Sequence, residues 1–312
     1  MNKKKIISYI FISLFAFIVI LYHTFPYSLL KENIVIQVQN QLNTQKIPLT
    51  FSMISLKPYW VTGVEIRGLE LENKLDHNDE LVIRNITARL SLLPLLIGNI
   101  TLNMNIEQRD GTIIAKVVLP LFSTLSGEAS LKYLDMQAKN FKLDSIFSQL
   151  LNVIRLNEKP ELALITPIIA KTKIGGRLFG TITYEEKGRA VVKLSLKESY
   201  LNTANEALNI PLQNFTTANV DFDWNGKKIQ ISPTTKFESE DIKFDLNGFV
   251  ETPSDPKLPW HLDLGLNLKM SGQVEKDFGF LIPQLLNCPN NVIIAGLMKL
   301  RLVGDSSSLS CQ

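Results

Sequence analysis

Leu262-Asp263-Leu264-Gly265-Leu266-Asn267-Leu268-Lys269-Met270 is the stretch on which the fold turns. Five apolar side chains alternate with charged, amide or glycine positions, so an extended strand presents one wholly apolar face. A helix would scatter the same five around its axis. The period of two continues in both directions. Ile242, Phe244, Leu246, Gly248 and Val250 alternate upstream, and residues 294–304 do so downstream. Val220, Phe222 and Trp224 lead into Asn225-Gly226, a hairpin-turn pair, from which Ile229 and Ile231 return.

Nearer the start the same rhythm holds. Leu49, Phe51 and Met53 alternate, as do Val64 and Ile66; after Gly68 the pattern resumes one position late at Leu69 and Leu71, which predicts a β-bulge there. Ile83, Ile86, Ala88 and Leu90 follow, then Ile100 to Ile106, the Asp110-Gly111 turn and Ile113 to Leu119. Residues 127–143 and 174–184 continue, the latter paired with 190–196 across a turn at 185–188. No helix-length segment separates most of these runs, which predicts an antiparallel meander rather than a parallel α/β sheet. The expected fold is mainly β: one large antiparallel sheet, curved or sandwich-like, with a few short helices. Those helices are expected over 28–43, 144–156 and 274–286. The first carries Leu30, Ile34, Val38 and Leu42 on one face, to pack on the first strands or lie on a membrane. Leu92 to Gly98 reads as an apolar corner packed into the sheet.

Ahead of all this, Lys3, Lys4 and Lys5 precede seventeen uncharged residues, 6–22. As a helix these would be roughly 25 Å long, close to the hydrocarbon thickness of a bilayer. A cleaved signal peptide shares the charged start and apolar run, but it needs small residues at the cleavage point. Here the chain reads Ile20-Leu21-Tyr22-His23-Thr24-Phe25-Pro26-Tyr27, bulky nearly throughout. An uncleaved anchor is the expectation, with the lysines cytoplasmic and the rest outside. The resulting division is a basic tail (1–5), a transmembrane anchor (6–22), a membrane-proximal joint and amphipathic helix (23–48), and a β-rich domain (49–312) with a candidate boundary between halves at 157/158.

Composition excludes more than it assigns. Thirty-three Lys and Arg against 30 Asp and Glu leave +3 over 312 residues, without the clustered basic face that nucleic acid requires. The two cysteines, Cys288 and Cys311, both fall late, and suit one disulfide in an oxidising compartment or two separate thiols. His23, His77 and His261 lack metal-ligand spacing, and His77 sits in a polar stretch, Asp76-His77-Asn78-Asp79, expected to be a loop. Asp221 and Asp223 share the polar face of one strand. Gly175-Gly176 and Gly180 have neither the following helix nor the lysine of a phosphate loop. Neither a catalytic constellation nor a cofactor is implied, and the expectation is a non-enzyme.

Four segments carry a resemblance. Phe25-Pro26-Tyr27-Ser28-Leu29-Leu30 follows the anchor, then come Leu56-Lys57-Pro58-Tyr59-Trp60-Val61-Thr62-Gly63-Val64 and Ala88-Arg89-Leu90-Ser91-Leu92-Leu93-Pro94-Leu95-Leu96-Ile97-Gly98; Trp260 to Lys269 lies near the end. In this order they resemble the type II secretion system protein N family of the kind found in Leptospira and deltaproteobacteria. The likeness runs over residues 25–304 and rests on strand and corner patterns with no catalytic signature. It implies a single-pass bacterial inner-membrane protein, N-terminus cytoplasmic and main domain periplasmic, working beside other type II secretion subunits. The chain is also similar to the neighbouring AsmA-like group, whose members share an anchor followed by a long curved sheet and are linked to lipid movement. Two expectations follow: an accessory or scaffold subunit of the secretion apparatus, or a phospholipid-binding groove lined by Leu262, Leu264, Leu266, Leu268 and Met270.

Overall fold

The computed structural model describes residues 13, 16–17, 20, 22, 24–44, 47–74, 76–126, 130–143, 172–186, 188–203, 212–251, 253, 260–278, 293–294, 297–305 and 308–311. Most of the expected anchor, 6–22, the expected helix at 144–156 and Cys288 lie outside these. Among the described residues no helix is long and apolar enough to cross a membrane.

Helix α1 (Tyr27–Thr44) opens the described chain, and every other long element is a strand. In order these are β1 (Leu49–Tyr59), β2 (Gly63–Asn73), β3 (Asp76–Ser91), β4 (Asn99–Glu107), β5 (Thr112–Pro120), β6 (Tyr133–Lys142), β7 (Thr172–Glu185) and β8 (Arg189–Thr203). There follow β9 (Gln213–Phe215), β10 (Thr217–Trp224), β11 (Lys228–Ile231), β12 (Lys236–Glu238), β13 (Ile242–Glu251), β14 (His261–Met270), β15 (Ile293–Ile294), β16 (Leu297–Asp305) and β17 (Ser308–Cys311). Short helices α2 (Leu92–Leu95), α3 (Leu121–Leu125) and α4 (Gly272–Phe278) sit at three strand ends. Asp76–Asp79 belongs to β3, so the loop expected around His77 is strand backbone.

The seventeen strands of the described residues form one antiparallel sheet. Its spine is a meander from β1 to β8; β8 then pairs with both β9 and β10, and β10 with both β11 and β12. Those two short strands share β13, which leads through β14 to β16, and β16 carries β15 and β17. The sheet is unbroken across the 157/158 boundary, because β6 pairs with β7.

The change of pattern at Gly68 is real, but it is no bulge. Register stays in step on both sides of it, Met53↔Leu69 and Ser55↔Arg67 on one flank, Arg67↔Asn85 and Leu69↔Ile83 on the other. Gly68 instead takes a left-handed backbone at φ 58°. The apolar positions switch parity at the same level in all three strands: from Met53 to Leu56, from Leu69 to Ile66, from Ile83 to Ile86. True register shifts lie at Glu72/Asn73, Ala138/Phe141 and Gly175/Arg177.

A sheet this long has an edge to protect, since an uncovered strand is a template for aggregation. On β1 the protection comes from α1. Its Leu30, Ile34, Val38 and Leu42 stripe is the half-buried side, and Gln39 acts as a surrogate strand residue. The Gln39 amide donates from Nε2 to Leu49 O at 3.1 Å and accepts at Oε1 from Phe51 N at 3.0 Å. Lys31 Nζ reaches Ile54 O at 3.3 Å. Pro58, which has no N–H to give, is tolerated because β1 is an edge strand. Replacing Gln39 with alanine orphans the Phe51 N–H; a loss of about 1–2 kcal/mol is expected in urea unfolding of the full chain, with increased self-association.

Candidate functional site

The feature that positions any site is the sheet's apolar face. Reading the register across it, Pro58, Val64, Ala88, Met104, Ala115, Met136 and Ile182 stand opposite one another in turn from β1 to β7. The row continues through Val192, Phe222, Ile231, Gly248, Leu264 and Leu302 to Cys311 on β17. No polar residue interrupts it. At about 4.8 Å per strand it runs for roughly 60 Å. On the opposite face the neighbouring row reads Lys57, Glu65, Thr87, Asn105, Ile114, Gln137, Thr181 and Lys193, polar but for Ile114.

A face this apolar is normally sealed by a second layer. Among the described residues no such layer covers it. Only Ala115 and Val192 in that row are buried; the other members are half-buried. Sealed packing is found instead near one corner, where Leu266, Leu268, Met270, Met298 and Leu300 close around Val274 of α4. The expected groove residues therefore divide. Leu266, Leu268 and Met270 belong to this packed cluster, while Leu262 and Leu264 lie on the half-buried part of the face.

Glycine and bulge positions shape the face. Gly180 and Gly248 hold φ at 139° and 121°, which L side chains rarely adopt. A Cβ on either would stand 2.0 Å from Lys193 O or 2.1 Å from Asp263 O, in the backbone of the adjoining strand. Together with the three register shifts, these are the devices by which a sheet curls toward one side.

Two buried polar atoms on the face have no partner among the described residues, Ser199 Oγ, opposite Phe215, and Trp224 Nε1. Trp224 stacks on Tyr184 with ring centroids 6.2 Å apart, and its indole Nε1 is enclosed without a hydrogen bond among the described residues. Sequence reading took Trp224 only as a strand residue; an indole in an alternating apolar row was the available signal, because tryptophan carries a donor wherever it goes.

Asp221 and His261 make contacts within the sheet, while His23 lies outside the described residues. Asp221 accepts from Thr234 Oγ1 at 2.9 Å, which braces a turn. His261 Nδ1 lies 3.2 Å from Asp305 Oδ1. Arg301 grips Asp263 through two bonds of 2.9 and 2.8 Å, and this pairing holds the Asp263 carboxyl below its usual range. Among the described residues, no group of three or more His, Cys, Asp and Glu converges as metal ligands do. Cys311 is disulfide-bonded. No protein-family model, curated protein or solved structure matches the chain.

Proposed function

We propose that this is a non-catalytic lipid-binding protein, tethered to the bacterial inner membrane by residues 6–22, whose periplasmic sheet carries phospholipid acyl chains on its apolar face. The observation that supports it is the unbroken, half-buried row from Pro58 to Cys311. An apolar surface of that extent stays soluble only when something apolar occupies it. A disulfide at Cys311 fits an oxidising compartment outside the cytoplasm.

The test is direct. Mass spectrometry of the full chain purified in detergent is expected to find bound phospholipid, and a lipid-free protein refutes the reading. Trp224→Phe keeps the aromatic bulk and removes a buried donor that has no partner among the described residues, so urea unfolding of the full chain should show stability unchanged or raised by about 1–2 kcal/mol.

A second reading, an accessory subunit of the type II secretion system, draws on the segments at 56–64 and 88–98. It would recruit a neighbouring subunit's strand to β17, a four-residue strand at the end of the sheet. Unchanged export of secreted enzymes after deletion of the gene would remove it.

A further inference from the structure

The apolar corner expected at Leu92 to Gly98 is not packed into the sheet. α2 and its following turn stand out from it, with Leu93 80 %, Leu96 84 % and Ile97 76 % exposed. At the next turn on the same side Phe122 of α3 is 76 % exposed, and at the preceding turn on that side Trp60 is 64 % exposed. Trp60 is also held at φ 59°, a conformation bulky residues avoid. These three turns are laced together: Leu90 N donates to Thr62 O at 3.0 Å, and Leu121 N to Gly98 O at 2.8 Å. The apolar tips then stop. The next two turns on that side carry Glu185, Glu186, Asn225 and Lys227.

The position of this rim identifies what covers it. Tyr22, the last residue of the apolar anchor run, accepts from Tyr59 N at 3.0 Å and donates to Gly63 O, on either side of the Trp60 turn. On the anchor reading, the chain therefore leaves the membrane beside the rim at Tyr22. Behind the rim lies an open cleft of about 810 Å³, roofed by Leu92, Leu93 and Trp60 and floored by Arg89, Asn103 and Lys116. No carboxylate lines it. Arg89 stacks over Trp60 at 4.8 Å, and neither Arg89 nor Lys116 is in an ion pair among the described residues. Asp135 stands across from Lys116 in the register but outside the cleft.

We infer that this rim is a second membrane contact: Trp60, Leu93, Leu96, Ile97 and Phe122 sit among the interfacial lipids, while Arg89 and Lys116 hold anionic headgroup phosphates. Aromatic and aliphatic tips backed by cations are what a bilayer interface binds. The inference rests on the anchor reading and is independent of whether the apolar face carries lipid.

The full chain with Trp224→Tyr and Trp260→Tyr, leaving Trp60 as sole tryptophan, is reconstituted in phosphatidylethanolamine vesicles with or without phosphatidylglycerol. Flotation first establishes that the anchor is inserted. Brominated lipid is expected to quench Trp60, more strongly with phosphatidylglycerol, and Arg89→Glu with Lys116→Glu should weaken that preference by about fivefold per basic side chain. Trp60 open to aqueous acrylamide and untouched by brominated lipid overturns the inference, as does shielding from both quenchers, which means a protein partner. If the single-tryptophan chain misfolds, amide exchange at 92–98 in the unaltered chain decides: slower exchange in vesicles with phosphatidylglycerol than in vesicles without it supports the contact, and equal exchange overturns it. Loss of bound phospholipid in Leu264→Asp reports on the apolar face and Trp60 quenching reports on the rim, so the two proposals fail separately.

Discussion

Gly180→Val is expected to abolish the native fold. The substituent would enter the Lys193 carbonyl, 2.0 Å from where its Cβ must sit, and Leu194 Cα stands 2.8 Å away. Both are backbone atoms in the middle of the β7–β8 ladder, so neither can turn aside as a side chain would. The residue must also keep φ near 139°. Strain of that kind costs about 1–3 kcal/mol before any clash, and the displaced ladder adds to it. A total of about 4 kcal/mol or more is a large part of a domain's stability. Far-UV circular dichroism and urea titration of the full chain check this; a variant with wild-type midpoint would show that the strand relaxes around the new side chain. Alanine should already be severely damaging, because the Cβ alone makes the collision.

The strand pattern was legible because almost every strand shows one side to water. Alternation such as Leu262 to Met270 survives only where the two faces differ, and this sheet keeps that difference from β1 to β17. Where a side chain's neighbours come from far away in sequence, the pattern misleads. At Leu92 to Gly98, a run of leucines reads the same whether it enters a core or stands clear of the sheet, and only the exposure of Leu93 and Leu96 separates the two. Gln39 looks like any residue on the polar side of a helix, yet it closes the edge of β1; nothing local marks an amide that imitates a strand. At Gly68 the change of parity was visible, but its mechanism was not, since a bulge and a left-handed glycine leave the same trace in one strand. Comparing three strands at the same level distinguishes them. Within the expected groove, five equivalent-looking positions split between packed core and half-buried face because α4 folds over one end.

That split yields the sharpest test of where lipid sits. Met298→Asp puts a carboxylate into the closed cluster around Val274, at a side chain with no measurable exposure. Among the described residues only apolar side chains and Cys311 pack on this cluster, so either the charge or the neutral acid is buried at a cost of several kcal/mol, and the chain is expected to unfold. Leu264→Asp makes the same chemical change one strand away, in the half-buried row between Gly248 and Leu302. Water still reaches that position, so the carboxylate keeps part of its hydration and the fold should survive with a loss of about 1–2 kcal/mol. Lipid binding should not survive. An ionised group in the path of the acyl chains must be dehydrated each time lipid occupies the face, and retention should drop by tenfold or more for each 1.4 kcal/mol of that cost. Urea unfolding and lipid mass spectrometry on the two variants give four readings. A folded Leu264→Asp that keeps its phospholipid would move the lipid off this face, and an unfolded one would make the middle of the row part of a sealed core.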